Sequence, residues 1–209
     1  LIVALCLPHG ARAIDVKVKG NWGHSAPVPK DAEEAAQWRF AESCESISVE
    51  ELQKQLQAGM RANAIDGYKR SALIYATRNP DARVIELLFK MGADPAYEVP
   101  GSVGCHGVSG PDTVLDEAVR YGGVEHVRLA LGAGAQVSQD TLSPLSGKND
   151  IRITKMIFDA GGRELLTTLE GQSAFLSIIR QGASIDAISF WLDCGASIHR
   201  SKLHAGGVL

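Results

Sequence analysis

The chain has 209 residues, 45% of them hydrophobic, and 21 basic side chains against 24 acidic ones, a formal charge of -3. That is enough apolar material for a packed domain. A slightly acidic chain without zinc-finger spacing or any other nucleic-acid module excludes a general nucleic-acid binder, which carries a marked basic excess.

Leu1 to Leu7 form an apolar run, followed by Pro8 and the small-x-small sequence Ala11-Arg12-Ala13. This reads as the back half of a secretory signal, its start expected to be trimmed, with cleavage expected after Ala13. It is too short to cross a bilayer as a mature helix, so no membrane insertion is expected after cleavage. Leu5 is too bulky to precede a lipoprotein cysteine at Cys6. Ile14 to Lys19 alternates as strands do, which supports a buried strand less strongly than the cleavage site supports a signal. Residues 14–30 are read as an extended leader, and Gly20 to Pro27 shows no anchoring motif.

Cleavage removes Arg12 and Cys6, moving the charge to -4 and leaving Cys44, Cys105 and Cys194. An odd count cannot pair fully. Pairing of Cys44 with Cys105 stays open, and Cys194 is read as a core thiol.

Asp31 to Cys44 and Val49 to Gln57 are expected helices, with Asp31/Glu34 and Ser48/Glu51 spaced as two capping boxes and Trp38 and Phe40 closing an apolar seam. First helices of later units open at Ser71-Ala72-Leu73-Ile74-Tyr75-Ala76, Thr113-Val114-Leu115-Asp116-Glu117-Ala118 and Ser173-Ala174-Phe175-Leu176-Ser177-Ile178. Second helices carry apolar residues at helical spacing: Val84 to Phe89, Val124 to Leu131, Ile151 to Phe158 and Ile185 to Leu192. Each second helix runs into a glycine, namely Gly59, Gly92, Gly134, Gly161 or Gly195, where a left-handed residue ends a helix without steric cost. Between Gly134 and Gly161, Thr141 to Leu145 with Pro144 and Gly147 leaves room for little more than one turn, so this unit is expected to be the most irregular. Beyond Ala196-Ser197-Ile198 no polar capping helix is recognisable, and residues 200–209 read as a tail or the start of a truncated further repeat.

Successive glycines lie 33, 42, 27 and 34 residues apart. Ser71 follows Gly59, and Ser173 follows Gly161, by the same 12 residues, with Asp66-Gly67 and Glu170-Gly171 near the intervening turn. As a set, these features over residues 31–199 resemble the ankyrin repeat, whose T-P-L-H-x-A signature the first helices carry in degenerate form. The resemblance implies an all-α, ankyrin-type solenoid of about five stacked helix-turn-helix units, the first acting as N-terminal cap. The signature histidine is replaced by Ile74, Asp116 and Leu176, so those units are expected to lose a stabilising bond. The resemblance further implies that partners dock on hairpin tips and on the concave surface of first helices. Those positions are Tyr68, Lys69 and Arg70; Tyr75 and Arg78; Tyr97 and His106; Glu117, Arg120 and Tyr121; and Arg180. Arg78, Arg120 and Arg180 each lie seven residues after Ser71, Thr113 and Ser173, which would set them in a row.

The 98–111 stretch makes the hairpin after Gly92 nine residues longer than the one after Gly59. It holds Cys105, His106 and Ser109, nucleophile and base types without a positioned acid, and reads as a glycine-rich surface insertion. Gly132-Ala133-Gly134 follows a helix, not a strand, and so is no dinucleotide loop. H-E-x-x-H, C-x-x-C, G-x-x-x-x-G-K-[ST] and G-x-S-x-G are all missing from the sequence. The expectation is a non-catalytic binding protein, periplasmic or secreted, monomeric, with no cofactor or metal and another protein as partner. A cell-envelope structural role and an enzyme with its site in 98–111 are the alternatives.

Overall fold

In a computed structural model of the chain the described residues are 27–100, 103–104, 107–108, 112–148 and 150–197. The expected signal at 1–13, the expected leader up to residue 26, Cys105, His106 and the expected tail at 200–209 lie outside them.

Among the described residues the fold is all-α, built from consecutive helix pairs. These are α1 (Ala32–Ser43) with α2 (Val49–Gln57), α3 (Ala72–Ala76) with α4 (Arg83–Lys90), and α5 (Val114–Arg120) with α6 (Val124–Gly132). They are followed by α7 (Gln139–Lys148) with α8 (Ile151–Asp159), and α9 (Leu169–Arg180) with α10 (Ile185–Asp193). A 3-10 turn (Gly162–Thr167) joins the last two pairs. The insertion forms two short antiparallel ladders, β1 (Glu98–Val99) with β4 (Asp112–Thr113) and β2 (Val103–Gly104) with β3 (Gly107–Val108).

Local chemistry sets the helix boundaries. Side-chain oxygens of Asp31, Ser48, Ser71, Thr113, Thr168 and Ser184 each accept the N–H three residues on, satisfying donors that a helix start leaves orphaned. The boxes expected at Asp31 and Ser48 close in one direction only. Glu34 turns back to the Lys30 N–H, and Glu51 faces Gln55 and Lys54. The reciprocal box forms at Thr113 and Asp116 instead.

At the other ends, Gly59, Gly92, Gly134, Gly161 and Gly195 all adopt φ between 84 and 112°. After most of them the next residue donates back across the turn: Met60 to Gln55, Ala93 to Leu88, Ala135 to Ala130 and Ala196 to Trp191, each at 2.9–3.0 Å. This six-to-one bond closes the last helical turn, and the left-handed glycine makes it accessible. Gly182, with φ 75°, supplies the same device between α9 and α10.

The pairs touch in a fixed order. α1 packs on α3, α3 on α5, α5 on α7 and α7 on α9; in a second row α2 packs on α4, α4 on α6 and α6 on α8. The buried apolar residues accordingly form a seam running from Phe40 and Leu52 through Leu73, Leu88, Leu115 and Val127 to Leu145, Ile157 and Phe175. At the C-terminal end Trp191 packs edge-on against Phe158 at 4.9 Å and stacks on Phe175 at 5.9 Å, tying α10 to both α8 and α9. Leu169, Leu176, Ile179, Ile185 and Leu192 remain exposed on this last pair.

Four expectations are corrected. First, α7 is a ten-residue helix with Pro144 inside it, not a single turn. Proline in a helix costs about 3 kcal/mol, but Thr141, Leu142, Pro144, Leu145 and Ser146 are all buried, and packing of that face against α5 and α9 outweighs the local cost. Second, α9 starts at Leu169 with Thr168 as its cap, so Ser173 is a mid-helix residue. Gly171 is not a turn glycine: a Cβ there would fall inside contact distance of the Leu165 carbonyl, so it permits close packing of α9 on the 3-10 turn. Third, Trp38 is only half-buried and lies over the first hairpin, where a Cβ on Gly67 would sit 2.6 Å from its ring; Phe40 alone closes the seam. Fourth, Cys194 is only half-buried: it caps the end of α10 and packs against the edge of the core rather than within it.

Candidate functional site

The first hairpin is organised by one buried carboxylate. Asp66 Oδ1 accepts the N–H groups of Tyr68 and Arg70 at 2.8 Å each, and its Oδ2 accepts the Tyr75 hydroxyl at 2.7 Å. The turn holds Lys69 at φ 65° and leaves Tyr68, Lys69 and Arg70 exposed at its tip. Tyr75, expected on the docking surface, is instead buried, and burial together with its bond to Asp66 pushes its phenol up to about 12. It is a strut of the hairpin.

Tyr97 ties the second hairpin to the first by donating its hydroxyl to the Lys69 carbonyl at 2.7 Å. Asn63 makes a second tie, donating to Gly92 O at 3.0 Å and accepting from Asp94 N at 2.7 Å. The tips are therefore held by long-range hydrogen bonds, which presents their side chains on rigid loops. The extended tip of the insertion is held at its base by the β1–β4 ladder.

Where α3 and α5 end, the expected arginines converge on one carboxylate. Arg78 Nη2 donates to Glu117 Oε2 at 3.0 Å, and Arg120 Nη1 donates to Glu117 Oε1 and, at 3.2 Å, to Asp112 Oδ1. The Arg78 guanidinium also covers the Tyr121 ring at 4.3 Å from its centroid, and Tyr121 is itself 52% exposed. Glu117 is buried, and Arg78 Nε is buried without a hydrogen-bond partner. Two cations and two anions thus neutralise one another, and the cluster joins the second and third pairs. Tyr121, although covered on one side by Arg78, keeps about half of its surface exposed here.

The third expected arginine stands apart. Arg180 ends α9 as Arg120 ends α5, although α9 starts farther upstream, at Leu169, than the expected opening at Ser173. It lines a groove of about 410 Å³ between α7 and α9, together with Asp140, Ser143, Leu169, Glu170 and Ser173.

The three residues expected to stand in place of a histidine behave differently from one another. Asp116 loses no bond: its Oδ2 accepts Thr113 N and Oγ1, and its Oδ1 accepts Thr141 Oγ1 at 2.6 Å, linking the third pair to the fourth. Ile74 is buried and apolar, whereas Leu176 is half exposed.

One polar chain linking successive helix pairs is not foreseen in the sequence. Asn79 Nδ2 donates to the carbonyls of Cys44 and Ile47, both at 3.0 Å. His126 Nε2 lies 2.9 Å from Asn79 O, and its Nδ1 accepts the Gly123 N–H. That pattern requires a neutral imidazole protonated on Nε2, and burial lowers its proton affinity. Lys148 Nζ continues the chain by donating to Gly122 O at 2.8 Å. The available signal was a polar residue inside an apolar helical run, which alone does not say what it bonds.

Among the described residues no group of three or more His, Cys, Asp and Glu side chains could hold a metal ion. No helix there is long and apolar enough to cross a membrane. Cys44 is buried with its thiol on Phe40 O at 3.4 Å, and burial pushes it up to about 12, far from a reactive thiolate. Cys105, whose pairing with Cys44 was left open, lies outside the described residues, as does His106. Compared with known proteins, the sequence matches no family model and no curated protein.

Proposed function

We propose that the chain is an ankyrin-type solenoid of five helix pairs that binds another protein without catalysis, using its hairpin tips and the exposed side of its first helices. The observation that supports this reading is the order of helix contacts, first helices on first helices and second on second, so that each pair touches mainly its neighbours. Such a stack leaves one long ridged face open, and loops held on it are suited to recognition. The contact residues are Tyr68, Lys69 and Arg70 at the first hairpin tip, Tyr121 at the end of α5 and Arg180 in the groove. Arg78, Arg120, Tyr75 and Tyr97 hold that surface in shape. The signal-like composition of residues 1–13 supports a periplasmic or secreted location, where a monomer of this kind would restrain or chaperone an envelope enzyme or toxin.

Affinity capture from an envelope extract tests the reading. The full chain should retain one stoichiometric protein, and a Tyr68→Ala, Arg70→Ala, Tyr121→Ala variant with unchanged helix content should release it. Equal retention by the variant excludes these tips, and recovery of peptidoglycan or membrane in place of a protein contradicts the adaptor reading.

A further inference from the structure

The groove between α7 and α9 differs from the cluster around Glu117 in that its charges meet no partner among the described residues. Asp140 lies in the first turn of α7 and Glu170 in the first turn of α9, while Arg180 ends α9. Among the described residues none of these three side chains makes an ion pair or hydrogen bond. Ten residues separate Glu170 from Arg180, about 15 Å at 1.5 Å per helical residue. Between these ends the hydroxyls of Ser143 and Ser173 line the groove, and Leu169 offers an exposed apolar contact at the acidic end.

We infer that this groove takes an extended peptide segment of a partner protein, bearing a Lys or Arg near Asp140 and Glu170 and an Asp or Glu four residues away at Arg180. The inference rests on the adaptor reading and names the ligand chemistry of one part of that face. Backbone polarity decides between backbone forms. A helix consumes its own N–H and C=O groups internally and leaves nothing for the groove hydroxyls. An extended chain spans the same 15 Å with about four peptide steps. Its alternating N–H and C=O groups also match serine hydroxyls, each able to donate and to accept.

Fluorescence anisotropy at low salt tests this with two capped, labelled peptides, Lys-Ala-Ser-Ala-Glu and Lys-Ala-Ser-Ala-Lys, added to the full chain. The first should bind about fivefold more tightly, the size of one partly exposed ion pair. Arg180→Glu should invert that preference, and Arg180→Met should abolish it without inverting it. Because these substitutions are at an exposed helix end, unchanged helix content by circular dichroism accompanies each measurement. Failure of either peptide to bind, or a preference unmoved by Arg180→Glu, overturns the groove assignment. If that happens while the tip variant still releases the captured protein, the adaptor reading stands and only the groove falls. If the peptides behave as expected but no protein is captured, the groove stands and the tip surface falls.

Discussion

The ends of α3 and α5 and the groove between α7 and α9 carry similar residues to opposite ends. In the first region two arginines and two carboxylates close on one another around the buried Glu117, and the charges are consumed in joining two helix pairs. In the second, Asp140, Glu170 and Arg180 lie apart along a groove and meet no partner among the described residues. A buried, mutually satisfied cluster is expensive to break and has little left for a ligand. Unpaired charges on an open face contribute little to stability and remain available for recognition.

The largest expected effect follows from that contrast. The Arg78→Ala, Arg120→Ala double variant leaves the Glu117 carboxylate buried and uncompensated, and should lose about 3 kcal/mol in urea denaturation. Removing the groove charges by Asp140→Ala, Glu170→Ala and Arg180→Ala should each change stability by less than about 0.5 kcal/mol. Equal losses at the two places would erase the distinction.

A smaller effect is expected at the bond linking the two regions. Thr141→Val takes away the hydroxyl that Asp116 Oδ1 accepts in a buried site, for a loss of about 1–2 kcal/mol with the fold otherwise retained.

Acid should weaken the N-terminal half further. His126 is held neutral with Asn79 O on one nitrogen and Gly123 N–H on the other, and faces Asp81, Glu125 and Lys148. Unfolded, its imidazole takes up a proton near 6.5; in the fold burial lowers that value. Below about 6.5 the unfolded chain therefore binds more protons, and stability falls with pH until the folded value is passed. The urea midpoint should drop between pH 7 and pH 5, and His126→Gln should flatten that drop. The smallest change is a gain: Lys69→Gly relieves a left-handed side-chain residue and should add up to about 1 kcal/mol. A loss there would mean that Lys69 makes contacts which offset its backbone strain.

How far these regions could be read in the sequence follows the range of the forces that make them. Second-helix faces, the caps at Ser71 and Thr113 and the left-handed glycines depend on residues three to five apart, and each was visible. The extent of α7 was not, because local rules penalise Pro144 while burial between α5 and α9 retains the helix. The start of α9 was misplaced because Thr168 and Ser173 are equally good caps by type, and only packing of Gly171 on Leu165 separates them. Arg78 and Arg120 could be placed in equivalent register, but the 39-residue bridge from Arg78 to Glu117 depends on the stacking itself. Asn79 and His126 join three pairs across 35 and 47 residues, a pattern no local signal encodes.

The account depends on each helix pair being stabilised by its neighbours alone. Residue-resolved native-state hydrogen exchange on a Phe175→Ala variant tests this most directly, since Phe175 is fully buried in α9 against Trp191 and its truncation costs about 3–5 kcal/mol. Protection should fall in α7, α9 and α10 while α1 to α4 keep theirs. A uniform fall from α1 to α10 would mean one shared core, and would contradict the stack.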